Sequence, residues 1–249
     1  MEPALSASSA FLREFVATLP ADLVRSTSPR VHSDLAAVAA TRGTRPALAG
    51  RFESSRPRQA GICVVADDRP GLLAAICAAL VLNGLNVMHA AAYTRHTPGR
   101  RAEAVDLFWV RGDDAEAAAF GLSDAMLKSF NRTLRDVVTG RIRLEDVSAG
   151  QPAYGASASD THVRFIEDEA GTLATLEVQT ADRPGLLLAL SRGLFGQRVQ
   201  IVASRAETAR DGSVRDRFSL EELDGSGIGQ ERRLAIQVAV MAAIGSLAH

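Results

Sequence analysis

The chain has 249 residues, 47% of them hydrophobic and 23% charged, with a formal net charge of −1. That is an ordinary globular balance, and it supplies no field that would gather nucleic acid or an anionic membrane surface. The longest apolar run, Gly71 to Leu82, falls short of the ~20 residues a membrane-spanning helix needs. The opening Met1-Glu2-Pro3 lacks the basic-then-apolar order of a secretion signal, so a cytoplasmic protein is expected.

Taken in chain order, residues 1–59 read as a helical and linker segment. Short helices are predicted near Phe11 to Leu19 and Asp34 to Ala40, followed by a stretch from Thr41 to Gln59 rich in Arg, Pro, Gly and Ser. Helices this short cannot bury a core alone, so they are expected to dock on the rest of the chain or on a partner. A first domain, 60–147, opens on the β-rich run Ile62 to Val65 and then Asp68-Arg69-Pro70-Gly71-Leu72-Leu73. A helix follows with Leu73, Ile76, Cys77 and Leu80 at the spacing of a core-facing stripe, and Asn83-Gly84 stops it. Next come a hairpin, a helix marked by Leu127, Phe130, Leu134 and Val138, and a candidate final strand around Arg141 to Val147.

Residues 148–160 read as a linker, and a second domain, 161–249, repeats the order. Its strand-like start, His162 to Ile166, would fill the sheet edge for which the C-terminal end leaves no room. Then come Leu176 to Gln179, the motif again as Asp182-Arg183-Pro184-Gly185-Leu186-Leu187, and a helix carrying Leu187, Leu190, Ser191 and Leu194. A hairpin turning at Asp211-Gly212 and a last helix with Leu234, Val238 and Met241 close the chain.

The repeat organises everything else. The second motif lies 114 positions after the first, and the offset holds from Asn86-Val87 to Gln200-Ile201 and from Thr94 to Thr208. It falls to 110 where Asp106-Leu107-Phe108 meets Asp216-Arg217-Phe218, so the second hairpin is four residues shorter. The fold class is therefore α+β: two ferredoxin-like βαββαβ sandwiches with antiparallel sheets. Val105, Leu107 and Trp109 make the outer sheet face of the first copy apolar, and such a face is expected to pack on a neighbour.

At each strand-to-helix turn, Pro70 or Pro184 suits the first helical turn. Gly71 or Gly185 lets a ligand approach the free N–H groups. The positive end of the helix favours a carboxylate, Arg69 or Arg183 would add a bidentate contact, and Asp68 or Asp182 would accept from an ammonium. Together these suit a zwitterionic amino acid. The plainer reading, that Asp-x-Pro-Gly only starts a helix, stands beside it, because duplication copies structure and function alike. Cys63 and Cys77 read as core residues, and His89 as a satisfied core or interface histidine. With no Asp-x-Asp, no His-Asp pair, no Walker loop and no Cys-x-x-Cys, neither catalytic residues nor a metal or other cofactor is expected.

The motif after a strand, then a helix, Gly84-Leu85-Asn86-Val87 and a hairpin ending Val105-Asp106-Leu107-Phe108, resembles the ACT domain. These are small regulatory modules that pair side by side and bind amino acids at the pair interface. More narrowly, both copies are similar to the C-terminal half of bacterial PII uridylyltransferase/uridylyl-removing enzymes, and Phe11 to Ala40 resembles the preceding segment more loosely. The resemblance implies ligand contacts from Asp68, Arg69, Gly71, Leu72 and Leu73 with Asn86 and Val87. The counterparts are Asp182, Arg183, Gly185, Leu186 and Leu187 with Gln200 and Ile201. Arg215 and Arg217 depart from the apolar residues usual in that hairpin. The implied function is non-catalytic sensing of an amino acid, glutamine first, in nitrogen or amino-acid metabolism. A nucleotidyltransferase or a PII-type protein is the implied partner, with the two copies pairing within one chain or in a homodimer. The regulatory half of a split enzyme and a ligand-free dimerisation module are the alternatives.

Overall fold

The computed structural model describes residues 8–97, 99, 101–112, 122–148, 161–167, 174–209 and 211–248. Its strands are β1 (Ala47–Phe52), β2 (Ala60–Asp67), β3 (Leu85–Arg95) and β4 (Glu103–Gly112), then β5 (His162–Glu167), β6 (Ala174–Ala181), β7 (Val199–Thr208) and β8 (Ser213–Glu222). Together they form a single antiparallel sheet in the order β1-β2-β4-β3-β7-β8-β6-β5. The two halves join at its centre, where β3 pairs with β7 and places Ala90 opposite Ala206 and Ala92 opposite Ser204. Pairing of the two copies is therefore made within one chain.

Alternation decides which side chains go inward. Ile62 and Val64 on β2, Phe108 on β4, Leu176 and Val178 on β6 and Phe218 on β8 share one core beneath the helices. Those helices are α4 (Leu72–Leu82), α5 (Asp124–Val138), α6 (Leu186–Gly196) and α7 (Gln230–Gly245). Helix α4 also packs on α6, so every residue from Leu72 to Leu80 is buried and not only the expected stripe. Cys77 and Ser191, equivalent positions of the repeat, meet there through a side-chain hydrogen bond.

The expected final strand at 141–147 is not a strand. That segment holds a short 3₁₀ turn, Leu144–Asp146, and the sheet edge is taken by β1 pairing with β2. Part of the expected linker, Thr41 to Gln59, is thus a strand. Its Gly50 is a packing requirement, since a Cβ there would lie 2.3 Å from Val38 Cγ2. In the second half β5 takes the matching edge on β6, as anticipated. Each half therefore runs ββαββα, with the edge strand first in the chain instead of last. Of the expected linker 148–160, only Ser148 falls among the described residues.

The neighbour expected over Val105 and Leu107 is the protein's own N-terminal segment. Helices α1 (Ser9–Ala17), α2 (Ala21–Ser26) and α3 (Pro29–Arg42) cover that face. They bury Phe15, Leu23 and Leu35 against Cys63, Val65, Val105 and Leu107. Burial pushes the Cys63 thiol up to about 12, the behaviour of an unreactive core residue. In the second half Glu177 and Arg217 occupy the positions of Cys63 and Leu107. There the Glu177 carboxylate is held at 2.8 Å by both Arg164 and Arg217, a face suited to water.

Helix α7 corrects one expectation. Leu234, Val238 and Met241 were the anticipated core stripe, yet they are 64%, 61% and 43% exposed. Ile236, Val240 and Ile244 are buried instead. On α5 the expected Phe130, Leu134 and Val138 do face the core.

Candidate functional site

Arg69-Pro70-Gly71-Leu72 is a type II turn: the Leu72 N–H donates to the Arg69 carbonyl at 3.2 Å, and Gly71 sits at φ 79°, ψ 2°. Its counterpart closes from Leu186 to Arg183 at 3.0 Å, with Gly185 at φ 77°, ψ 7°. Proline therefore precedes the helix and does not occupy its first turn. Glycine supplies the left-handed conformation the turn demands. No side chain caps α4 or α6, so their first-turn N–H groups remain able to serve an acceptor.

Pairing of β3 with β7 turns each motif toward the opposite half. Asp68, Arg69, Gly71, Leu72 and Leu73 line a cleft with Gln200 and Ile201. Asp182, Arg183, Gly185, Leu186 and Leu187 line a second one with Asn86 and Val87. The residues singled out from sequence are all brought together, but across the halves and not copy by copy. Each cleft has a volume of about 30 Å³.

The two arginines turn away from the expected bidentate contact. Arg69 donates to the Val138 carbonyl at the end of α5. Arg183 donates to the Ile244 carbonyl at the end of α7, at 3.5 Å. Helix C-termini carry unsatisfied carbonyls and partial negative charge, which attract a guanidinium. The aspartates of the motifs do face their clefts. Asp68 accepts from Thr94 Oγ1 at 2.6 Å and from Gln200 Nε2 at 3.3 Å to each carboxylate oxygen. Burial raises the Asp182 carboxyl above its ordinary value, with the Arg183 N–H and the charge of Arg111 acting against the shift.

Two further carboxylates lie in these clefts and were not anticipated as site residues. Asp106 and Asp216, 3% and 2% exposed, sit on the inner sheet face and line the first and second cleft respectively. Asp106 accepts the Tyr93 N–H at 3.3 Å, and Asp216 accepts the Glu207 N–H. Burial raises Asp106 well above its ordinary value and pushes Asp216 up to about 8. Their signal in the sequence is an acid at an inward position of an alternating strand, repeated in both copies.

His89 lies at the interface with its Nε2 3.1 Å from Arg56, and burial lowers its pKa; its Nδ1 is buried without a partner, so the expectation of a satisfied histidine holds for one ring nitrogen only. Among the described residues no group of three or more His, Cys, Asp or Glu is arranged to hold a metal ion. No described helix is long and apolar enough to cross a membrane.

No family model matches the chain. Curated relatives do, and they are bifunctional uridylyltransferase/uridylyl-removing enzymes. That of Rhodospirillum rubrum is 30% identical over 190 residues, covering 74% of this chain and 19% of the relative. That of Phenylobacterium zucineum is 30% identical over 206 residues, covering 81% and 21%. The Ruegeria pomeroyi enzyme is 32% identical over 168 residues, covering 64% and 18%. The chain thus spans about a fifth of the length of the curated relatives it matches. The resemblance read from the motifs is one to part of these enzymes.

Proposed function

We propose that the chain is a cytoplasmic regulatory module of tandem ACT type. It binds a free amino acid, glutamine first among the candidates, and relays its level to a nucleotidyltransferase or PII-type partner. The observation that carries this reading is the duplicated cleft. In each, an uncapped helix start lies beside a motif aspartate, with a second, buried aspartate below. The helix start suits a carboxylate and the aspartates suit an ammonium, so one zwitterion satisfies both ends without help from Arg69 or Arg183.

The make-up of the clefts adds a mechanism. The walls of each belong to different halves of the chain, so a ligand seated there touches both. Binding then favours one arrangement of the two halves over others, and that differential affinity is the coupling a sensor needs. Isothermal titration of the whole chain with the twenty amino acids tests the reading. Saturable heat from glutamine at millimolar concentration or below is expected, and no heat from any of the twenty overturns it.

A further inference from the structure

The two clefts differ in what fills them, and the difference lies in the pair of positions each half lends to the other. Around Asp68 the second half presents Gln200 and Phe195; around Asp182 the first half presents the shorter Asn86 and Val81. The Gln200 amide reaches the Asp68 carboxylate at 3.3 Å to both oxygens, and Thr94 completes its hydrogen bonding at 2.6 Å. The Phe195 ring lies so close over Gly71 that a Cβ there would meet it at 2.8 Å. The carboxylate that would receive an ammonium is already holding a nitrogen donor of this chain.

The second cleft is left wanting. Among the described residues no side chain donates a hydrogen bond to Asp182, although Thr208 lines the cleft where Thr94 lines the other. Asp216 Oδ1 is buried without a partner. The residue is more than nine-tenths buried and lines this cleft. Buried polar atoms without partners are uncommon in a folded protein and mark a place where a partner is missing.

We infer that the clefts have different duties. The Asp182 cleft takes one amino acid per chain, its ammonium against the Asp182 carboxylate and donating a hydrogen bond to the unpartnered carboxyl oxygen of Asp216. The Asp68 cleft is held shut by Gln200, whose amide stands in for the ligand's nitrogen. This rests on the amino-acid-binding reading above and assigns it to one of two similar sites.

Isothermal titration with L-glutamine separates the possibilities. The unaltered chain is expected to bind one equivalent, and Asp182→Asn to weaken that event tenfold or more. Gln200→Ala is expected to bring a second equivalent, which Asp68→Asn added to Gln200→Ala removes again. Asn86→Gln, which offers the second cleft a longer amide, is expected to lose the single event without unfolding the chain by circular dichroism. Two equivalents in the unaltered chain, or one that survives both Asp182→Asn and Asn86→Gln, overturn the assignment while leaving amino-acid binding in place. Absence of binding by both the unaltered chain and Gln200→Ala, for every amino acid, overturns the underlying reading as well.

Discussion

Replacing Glu103 with alanine is expected to destabilise the protein by about 3–5 kcal/mol, the cost of breaking a buried ion pair by removing one partner. Glu103 bridges two guanidiniums, Arg42 at 2.7 Å and Arg95 at 2.6 Å, with side-chain exposures of 12%, 12% and 9% for Glu103, Arg42 and Arg95. Arg42 belongs to α3 and Arg95 to β3, so the carboxylate fastens the N-terminal helices to the sheet. Arg95 also donates to Thr18 at 2.6 Å and lies 4.3 Å over the Phe15 ring. Without Glu103 the two cations face each other, with only half-exposed Asp67 left near Arg42. Glu103→Gln keeps the shape and loses the charge, and is expected to cost nearly as much. Chemical denaturation followed by the fluorescence of Trp109, the one tryptophan, reads the change, because its ring packs edge-on against Phe52 beneath those helices. A loss under about 1 kcal/mol, the scale of an exposed pair, would contradict this account of the interface.

Asp216→Asn is expected to stabilise the chain at pH 8 and to leave its stability unchanged near pH 4. Burial holds the folded Asp216 protonated up to about pH 8, whereas in the unfolded chain it ionises near about pH 4. Below the lower value both states carry the proton and nothing is lost. Between the two values the folded state keeps a proton that the unfolded state has released, so stability falls by up to about 1.4 kcal/mol per pH unit. The fall ends as pH passes the folded value. Asparagine keeps an oxygen for the Glu207 N–H and does not titrate. Its melting temperature is therefore expected to match the parent near pH 4 and to exceed it by about 10 °C or more near pH 8, at roughly 2–4 °C per kcal/mol for a chain of this size. Equal pH dependence in the two proteins would place the proton elsewhere.

The motif turns were legible from the chain because six identical residues recur in both copies. Glycine at Gly71 and Gly185 pointed directly to backbone that needs the left-handed region. The partnering of the clefts was not legible. An offset of 114 sets Asn86 against Gln200 and Asp68 against Asp182, and only the antiparallel seam between β3 and β7 brings Gln200 to Asp68. Asp106 and Asp216 could have been found, since each interrupts an otherwise apolar inward face. Strand β1 was hidden by its flanks: Ala47 to Phe52 lies among Arg, Pro, Gly and Ser, and its glycine answers to Val38 on a helix. On α7 two apolar sets compete, Leu234-Val238-Met241 and Ile236-Val240-Ile244, and periodicity cannot say which of them meets the sheet. The arginines misled for a similar reason. Guanidinium beside a helix start suggests an anion, whereas the carbonyl ends of α5 and α7 lie within reach and take it.

On the proposed reading, ligand binds in a cleft made from one half's motif and the other half's strand. Amide hydrogen exchange on the intact chain, with and without saturating glutamine, reads both walls at once. Residues 182–187 and 85–88 are expected to gain protection together, at the same ligand concentration, although they lie about a hundred positions apart in sequence. Protection confined to one half, or no change at either segment, would contradict it.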